Sequence, residues 1–150
     1  GMGLAPWSPL AFGLLTGKYD RGMLEHANRP TELPDSGATS SEGESDGRLN
    51  GDNPYGGMLF TERNFDIVDV VKDVAGELGR SPAEVALAWV TGRKGVSSVL
   101  VGASRVEQLT QNIASLDITL DAHALALMPG MSVRVIATPA QTPAGQGKAP

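Results

Sequence analysis

Apolar residues fall into distinct patterns along this chain, and each pattern predicts a different element. Gly3-Leu4-Ala5-Pro6-Trp7 is short and apolar and closes on Ser8-Pro9. That suits a strand running into a loop, because proline is tolerated at strand ends and not in their middles. Val68, Val71, Val74, Ala75 and Leu78 recur at steps of three and four, the spacing of one buried helical stripe. Thr61 or Asn64 is placed to cap that helix and Gly79 to end it. Ser81-Pro82-Ala83-Glu84 then offers a capping hydroxyl, a proline at the first helical position and a glutamate able to return the capping bond. A second helix is expected from there through Val85 and Trp89 to about Gly92.

Ser97-Ser98-Val99-Leu100-Val101 is too short for a helix and is bounded by glycines, which predicts a strand buried on both faces. Gly102-Ala103 breaks it, and Ser104-Arg105-Val106-Glu107 repeats the capping-box pattern ahead of Val106, Leu109, Ile113 and Leu116. Asp121 can cap a last short helix through Leu127, stopped by Pro129-Gly130. Residues 32–52 read as a solvated loop within a mobile stretch of about 20–60. The domain is expected over 1–128, with a disordered tail over 129–150. Strand, long loop, two helices, strand, helix, helix is an α/β order that implies parallel strands with helical crossovers. A closed barrel of eight strand-helix units typically needs about 250 residues, so 150 residues can supply only part of one.

Composition narrows the function classes. A net charge of −5 without any basic run argues against nucleic acid or an anionic membrane as the main partner. The absence of cysteine removes disulfides, thiolate metal sites and thiol nucleophiles, and fits a reducing compartment, so a cytoplasmic location is the expectation. No apolar stretch approaches the roughly 20 residues that span a bilayer, and the first ten residues do not resemble a signal peptide.

The most informative chemistry lies where Ser97–Val101 turns into the helix beyond Arg105. A strand ending in glycine just before a helix N-terminus presents free backbone N–H groups to an anion, and a phosphate fits such a place. At about 100° per residue, Gln108, Gln111 and Asn112 fall within roughly 80° of Ser104, whereas Leu109, Ile113 and Leu116 lie toward the opposite side. One face is therefore expected to pack and the other to stay polar. Periodicity alone leaves open the plainer reading that Ser104 is only a cap and the amides only solvated.

Ser8 through Tyr19, SPLAFGLLTGKY, is a second candidate, with a hydroxyl, two glycines and a lysine after a strand end. It is not a nucleoside-triphosphate loop: three residues instead of four separate Gly13 from Gly17, and Tyr19 stands where a magnesium-binding Ser or Thr is needed. Nor is there a doubly wound dinucleotide fingerprint, since Gly1 and Gly3 precede a strand instead of following one. Taken alone, the segment reads as a rigid turn with a snorkelling Lys18.

Taken together, the two segments resemble the aldo-keto reductases. In that family a Ser-Pro-Leu-x-x-Gly-x-Leu-Thr-Gly-Lys-Tyr stretch follows the seventh barrel strand and Gly-Ala-Ser-x-x-x-Gln-Leu-x-x-Asn the eighth, and Ser8–Tyr19 and Gly102–Asn112 are similar to them. Ser81–Trp89 looks like the helix before the eighth strand, and the resemblance covers roughly residues 3–127. It implies the C-terminal part of a (β/α)8 TIM barrel that binds NADP(H) in preference to NAD(H). Ser8, Leu10, Gly13 and Lys18 would then lie along the pyrophosphate. Ser104, Arg105, Gln108, Gln111 and Asn112, with the Gly102 turn, would hold the adenosine and its 2′-phosphate. Trp7 would stand near the nicotinamide end, or serve as a core aromatic.

The resemblance also implies what to look for and not find. The family's Asp, Tyr, Lys and His catalytic group belongs to the first half of the barrel, and none of Tyr19, Tyr55, His26 or His123 matches a position in it. No catalytic residue and no metal ligand is therefore assigned, and a small carbonyl substrate is expected only if the missing barrel half is supplied. Beyond Pro129 the sequence matches nothing in the family, which suggests a truncated product or a fragment. Two other readings stay open: a non-catalytic nucleotide-responsive or partner-binding subunit, and a remnant without function.

Overall fold

The computed structural model describes residues 3–24, Leu49 and residues 58–128. The tail over 129–150, most of the 32–52 loop, Tyr55 and His26 lie outside the described residues. The helices are α1 (Glu62–Leu78), α2 (Pro82–Thr91), α3 (Val106–Ala114) and α4 (Ala122–Leu127), with 3-10 turns at Ala11–Thr16 and Arg21–Met23 ahead of α1 and at Ser115–Asp117 between α3 and α4.

α1 begins at Thr61, whose hydroxyl accepts the Asn64 N–H at 3.2 Å, and ends at Gly79, which adopts the left-handed conformation (φ 61°) that glycine allows without strain. Phe65, Val68, Val71, Val74 and Ala75 form its buried stripe. Leu78, expected on that stripe, is exposed because the helix terminates there before another element covers it. α2 shows the full capping box: the Ser81 Oγ accepts the Glu84 N–H at 3.3 Å, and the Glu84 carboxylate accepts the Ser81 N–H at 2.9 Å. Every residue from Glu84 to Val90 is buried, so α2 is covered on all sides and sits at the centre of the fold.

Two clusters make the core. Val71, Val74 and Ala75 of α1 meet Val85, Ala86, Trp89 and Val90 of α2, with Ala124 and Met128 closing one side. Leu14, Tyr19, Leu49, Phe60, Phe65 and Val68 form the second, in which Tyr19 and Phe60 meet edge-on at 5.4 Å. The solvated reading of residues 32–52 therefore fails at Leu49, which reaches the core and donates its N–H to the Tyr19 hydroxyl at 3.0 Å.

The two expected strands are reduced, among the described residues, to two isolated parallel bridges, Leu4 with Val96 and Trp7 with Leu100. Leu4 donates to Gly95 O at 2.7 Å and accepts from Ser97 N at 2.9 Å, and Pro6 O accepts from Leu100 N at 3.0 Å. Two residues separate the bridges on one side and three on the other, and Pro6 has no N–H to donate, so the ladder is interrupted between them. The parallel direction agrees with the sequence reading. Burial on both faces does not: Leu100 is 56% exposed and Val101 44%, because no described element covers their second side.

Candidate functional site

The bridge between Trp7 and Leu100 fixes the geometry that matters. Its parallel direction brings both segments to the same end, so Ser8, one residue past Trp7, and Gly102, two residues past Leu100, open their loops side by side. The two candidate anion-binding segments, far apart in sequence, thus leave one edge of the fold.

On the first loop the backbone is strained. Ser8 (φ 52°), Ala11 (φ 49°) and Phe12 (φ 56°) lie in the left-handed region although none is glycine. Such conformations persist where the surroundings over-determine them, and they cluster at functional loops. Local hydrogen bonds hold these: Ser8 O accepts from Ala11 N at 2.9 Å, Ser8 Oγ from Phe12 N at 3.3 Å, and Leu10 O from Gly13 N at 2.9 Å. The Ser8 hydroxyl is thereby engaged in shaping its own turn. Leu10 precedes the 3-10 turn and packs against the first core cluster. At Gly13 (φ 94°) a Cβ would stand 3.1 Å from the Lys18 Cε, so glycine lets the lysine side chain fold across the turn. Lys18 Nζ also lies 5.1 Å from the Tyr19 ring centroid, a cation–π contact.

The second loop departs from the expected capping box. Arg105, not Ser104, is the N-cap of α3, and its side chain caps nothing. Gln108, not Glu107, returns the bond: its Oε1 accepts the Ser104 N–H at 2.9 Å and the Ser104 hydroxyl at 3.1 Å. With Arg105 as the N-cap, Gln108 and not Glu107 stands at the third helical position, from which a side chain reaches back over the helix start, and that explains the shift. Residues 101–107 are exposed, and a Cβ on Gly102 would meet nothing within 4 Å. The α3 N-terminus thus opens onto free space, and its N-cap side chain accepts from none of its amides. Glu107 in the first turn supports the helix dipole but would face an incoming anion as a like charge. Gln111 is exposed and Asn112 half-buried.

The expected packing face of α3 is corrected outright. Val106, Leu109, Ile113 and Leu116 are 47–74% exposed, and Leu116 belongs to the 3-10 turn that follows the helix. Their period is right, but Leu109, Ile113 and Leu116 line an open trough shared with Leu87, Val99 and Val101 and so stay largely exposed. Trp7 is 69% exposed and meets Phe12 edge-on at 5.4 Å, which places it at the loop mouth and not in a core.

Sequence reasoning missed Arg21. Its guanidinium bridges Glu62, Asp66 (2.7 Å) and Asp69 (2.8 Å) on α1, three residues past Lys18. The available signal was the acidic spacing of four and three along one helix face. Among the described residues no group of three or more His, Cys, Asp or Glu side chains could hold a metal ion, and no helix is long and apolar enough to cross a membrane.

Both loops follow the C-terminal ends of parallel segments. The chain belongs to the aldo/keto reductase family, whose model matches residues 1–131 and whose fold is a (β/α)8 barrel generally used with NADP(H). It is 36% identical over 117 residues to the L-glyceraldehyde 3-phosphate reductase of Escherichia coli O157:H7, covering 78% of this chain and 29% of that protein. It is 34% identical over 118 residues to a "Probable voltage-gated potassium channel subunit beta" of Oryza sativa subsp. japonica, covering 79% of this chain and 31% of that protein. The chain thus spans about three tenths of the length of the curated relatives it matches.

Proposed function

We propose that this chain is the NADP(H)-binding C-terminal part of an aldo-keto reductase barrel acting in the reduction of aldehydes or ketones. The observation that carries this reading is the Trp7–Leu100 bridge, which sets the strained Ser8–Lys18 loop beside the open N-terminus of α3. Lys18, Ser8 and the Leu10–Gly13 turn hold the pyrophosphate. Ser104, Arg105, Gln108, Gln111 and Asn112, with the Gly102 turn, hold the adenosine 2′-phosphate end. When bound, the cofactor supplies the hydride. The residues of this chain bind and orient it, and the group that protonates the carbonyl oxygen comes from barrel segments outside these 150 residues. A charge-assisted hydrogen bond contributes about 1.5–3 kcal/mol and a helix N-terminus about 0.3–1 more. Together that is roughly one to three orders of magnitude in affinity, enough for selection between NADPH and NADH.

Calorimetric titration of the full chain with NADPH and with NADH tests this. NADPH is expected to bind more tightly, and Arg105→Ala to weaken NADPH more than NADH. Equal losses for both cofactors would remove Arg105 from the 2′-phosphate, and absence of NADPH binding to folded chain would overturn the reading.

A second reading rests on the likeness to the potassium channel subunit beta: a nucleotide-responsive subunit that binds without turnover. Carbonyl reduction on reconstitution with a chain carrying the remaining strands favours the first reading. NADPH binding with no turnover under those conditions favours the second.

A further inference from the structure

The chain leaving Lys18 is anchored to α1 within three residues. Tyr19 is buried among Leu14, Phe60 and Phe65, and its hydroxyl accepts the Leu49 N–H. Asp20 accepts the Gly22 N–H at 2.8 Å, which forms the turn Arg21–Met23. Arg21 then donates to Glu62, to Asp66 at 2.7 Å and to Asp69 at 2.8 Å. Three carboxylates along one helix face repel one another, and a guanidinium is the side-chain group with enough donors, in a fixed planar fork, to join them all. α1 also touches the other side of the turn: the Lys72 Cε stands 2.7 Å from where a Cβ on Gly17 would be.

One buried ring fixes a point about which the backbone can still rotate, whereas two anchors fix a direction. We propose that Arg21 is a positioning residue for the cofactor loop: its clasp on Glu62, Asp66 and Asp69 sets the path of the chain after Lys18, and so the place of the Lys18 ammonium over the Gly13 turn and the Tyr19 ring. The inference rests on the reading of Ser8–Lys18 as the pyrophosphate loop. Exposed ion pairs add little to global stability, so the clasp acts on the local path of the chain and not on whether the protein folds.

Titration of the full chain with two probes tests it, NADPH and adenosine 2′,5′-bisphosphate, the second of which lacks the nicotinamide half and its pyrophosphate bridge. Arg21→Ala is expected to weaken NADPH by about five- to tenfold and to leave the bisphosphate within about twofold, with unchanged helical circular dichroism. Arg21→Lys should restore only part of the loss, since an ammonium lacks the planar fork. Asp66→Asn with Asp69→Asn should reproduce the NADPH-selective loss with Arg21 intact, and carries the comparison if Arg21→Ala does not fold. Equal losses for both probes, or no loss in either variant, would overturn the role of Arg21 alone. Failure of the unaltered chain to bind NADPH would overturn it together with the reading beneath it.

Discussion

Glu84 is nearly enclosed, yet its carboxyl is held below the ordinary carboxylate range. The Ser81 hydroxyl and then the Ser81 N–H bond to its charged form, Arg80 adds attraction, and these outweigh the burial that opposes ionisation. A depressed folded-state pKa gives stability that is fully present above the unfolded value near 4.5 and is lost as pH falls through the folded value. Urea midpoints measured from pH 7 down to pH 3 should therefore decline below about pH 4.5. In Glu84→Gln the component due to this carboxyl is absent, and the gap between the two proteins should close toward the acid end. A gap that stays constant across the series would show that Glu84 contributes packing and not charge. The Ser81 box is legible because all of its partners lie within four residues. The Ser104 box is misread because the helix starts one residue later than the pattern implies, which puts Gln108 instead of Glu107 at the third helical position.

Loops and helix ends carry the proposed function. Gly102 has no left-handed φ, and a Cβ there meets nothing of the protein within 4 Å, so Gly102→Ala should leave the melting temperature unchanged. It places a methyl group in the space proposed for phosphate, however, and NADPH affinity should fall. Unaltered affinity would move the anion away from this turn. The sequence placed both loops after strands. It did not place Ser8, Ala11 and Phe12 at positive φ, since such strain is stored by surroundings and has no residue signature when glycine is not used.

Among the described residues of the whole molecule, the helical core is closed and the strand side is open. A mostly apolar trough of about 300 Å3 lies between α2, the 96–101 segment and α3, lined by Leu87, Val99, Val101, Leu109, Ile113 and Leu116. Apolar surface of this kind binds 1-anilinonaphthalene-8-sulfonate. Ile113→Ser with Leu116→Ser should lower the dye's fluorescence without loss of helical circular dichroism. Unchanged fluorescence would mean that this face is not what the dye reaches.

Helix positions, caps and stops at Thr61, Gly79, Ser81 and Asp121 follow from contacts within one or two turns, so a linear reading of local spacing suffices for them. The same spacing marks Leu109 and Ile113 as one apolar face and Val99–Val101 as strand-like. Whether such a face is buried depends on what comes to lie against it, and that is a property of neighbours, not of period. The meeting of residue 7 with residue 100, the reach of Leu49 to Tyr19 and the clasp of Arg21 on α1 are likewise long-range events. They depend on how the helices pack around α2, and only folding in three dimensions sets them.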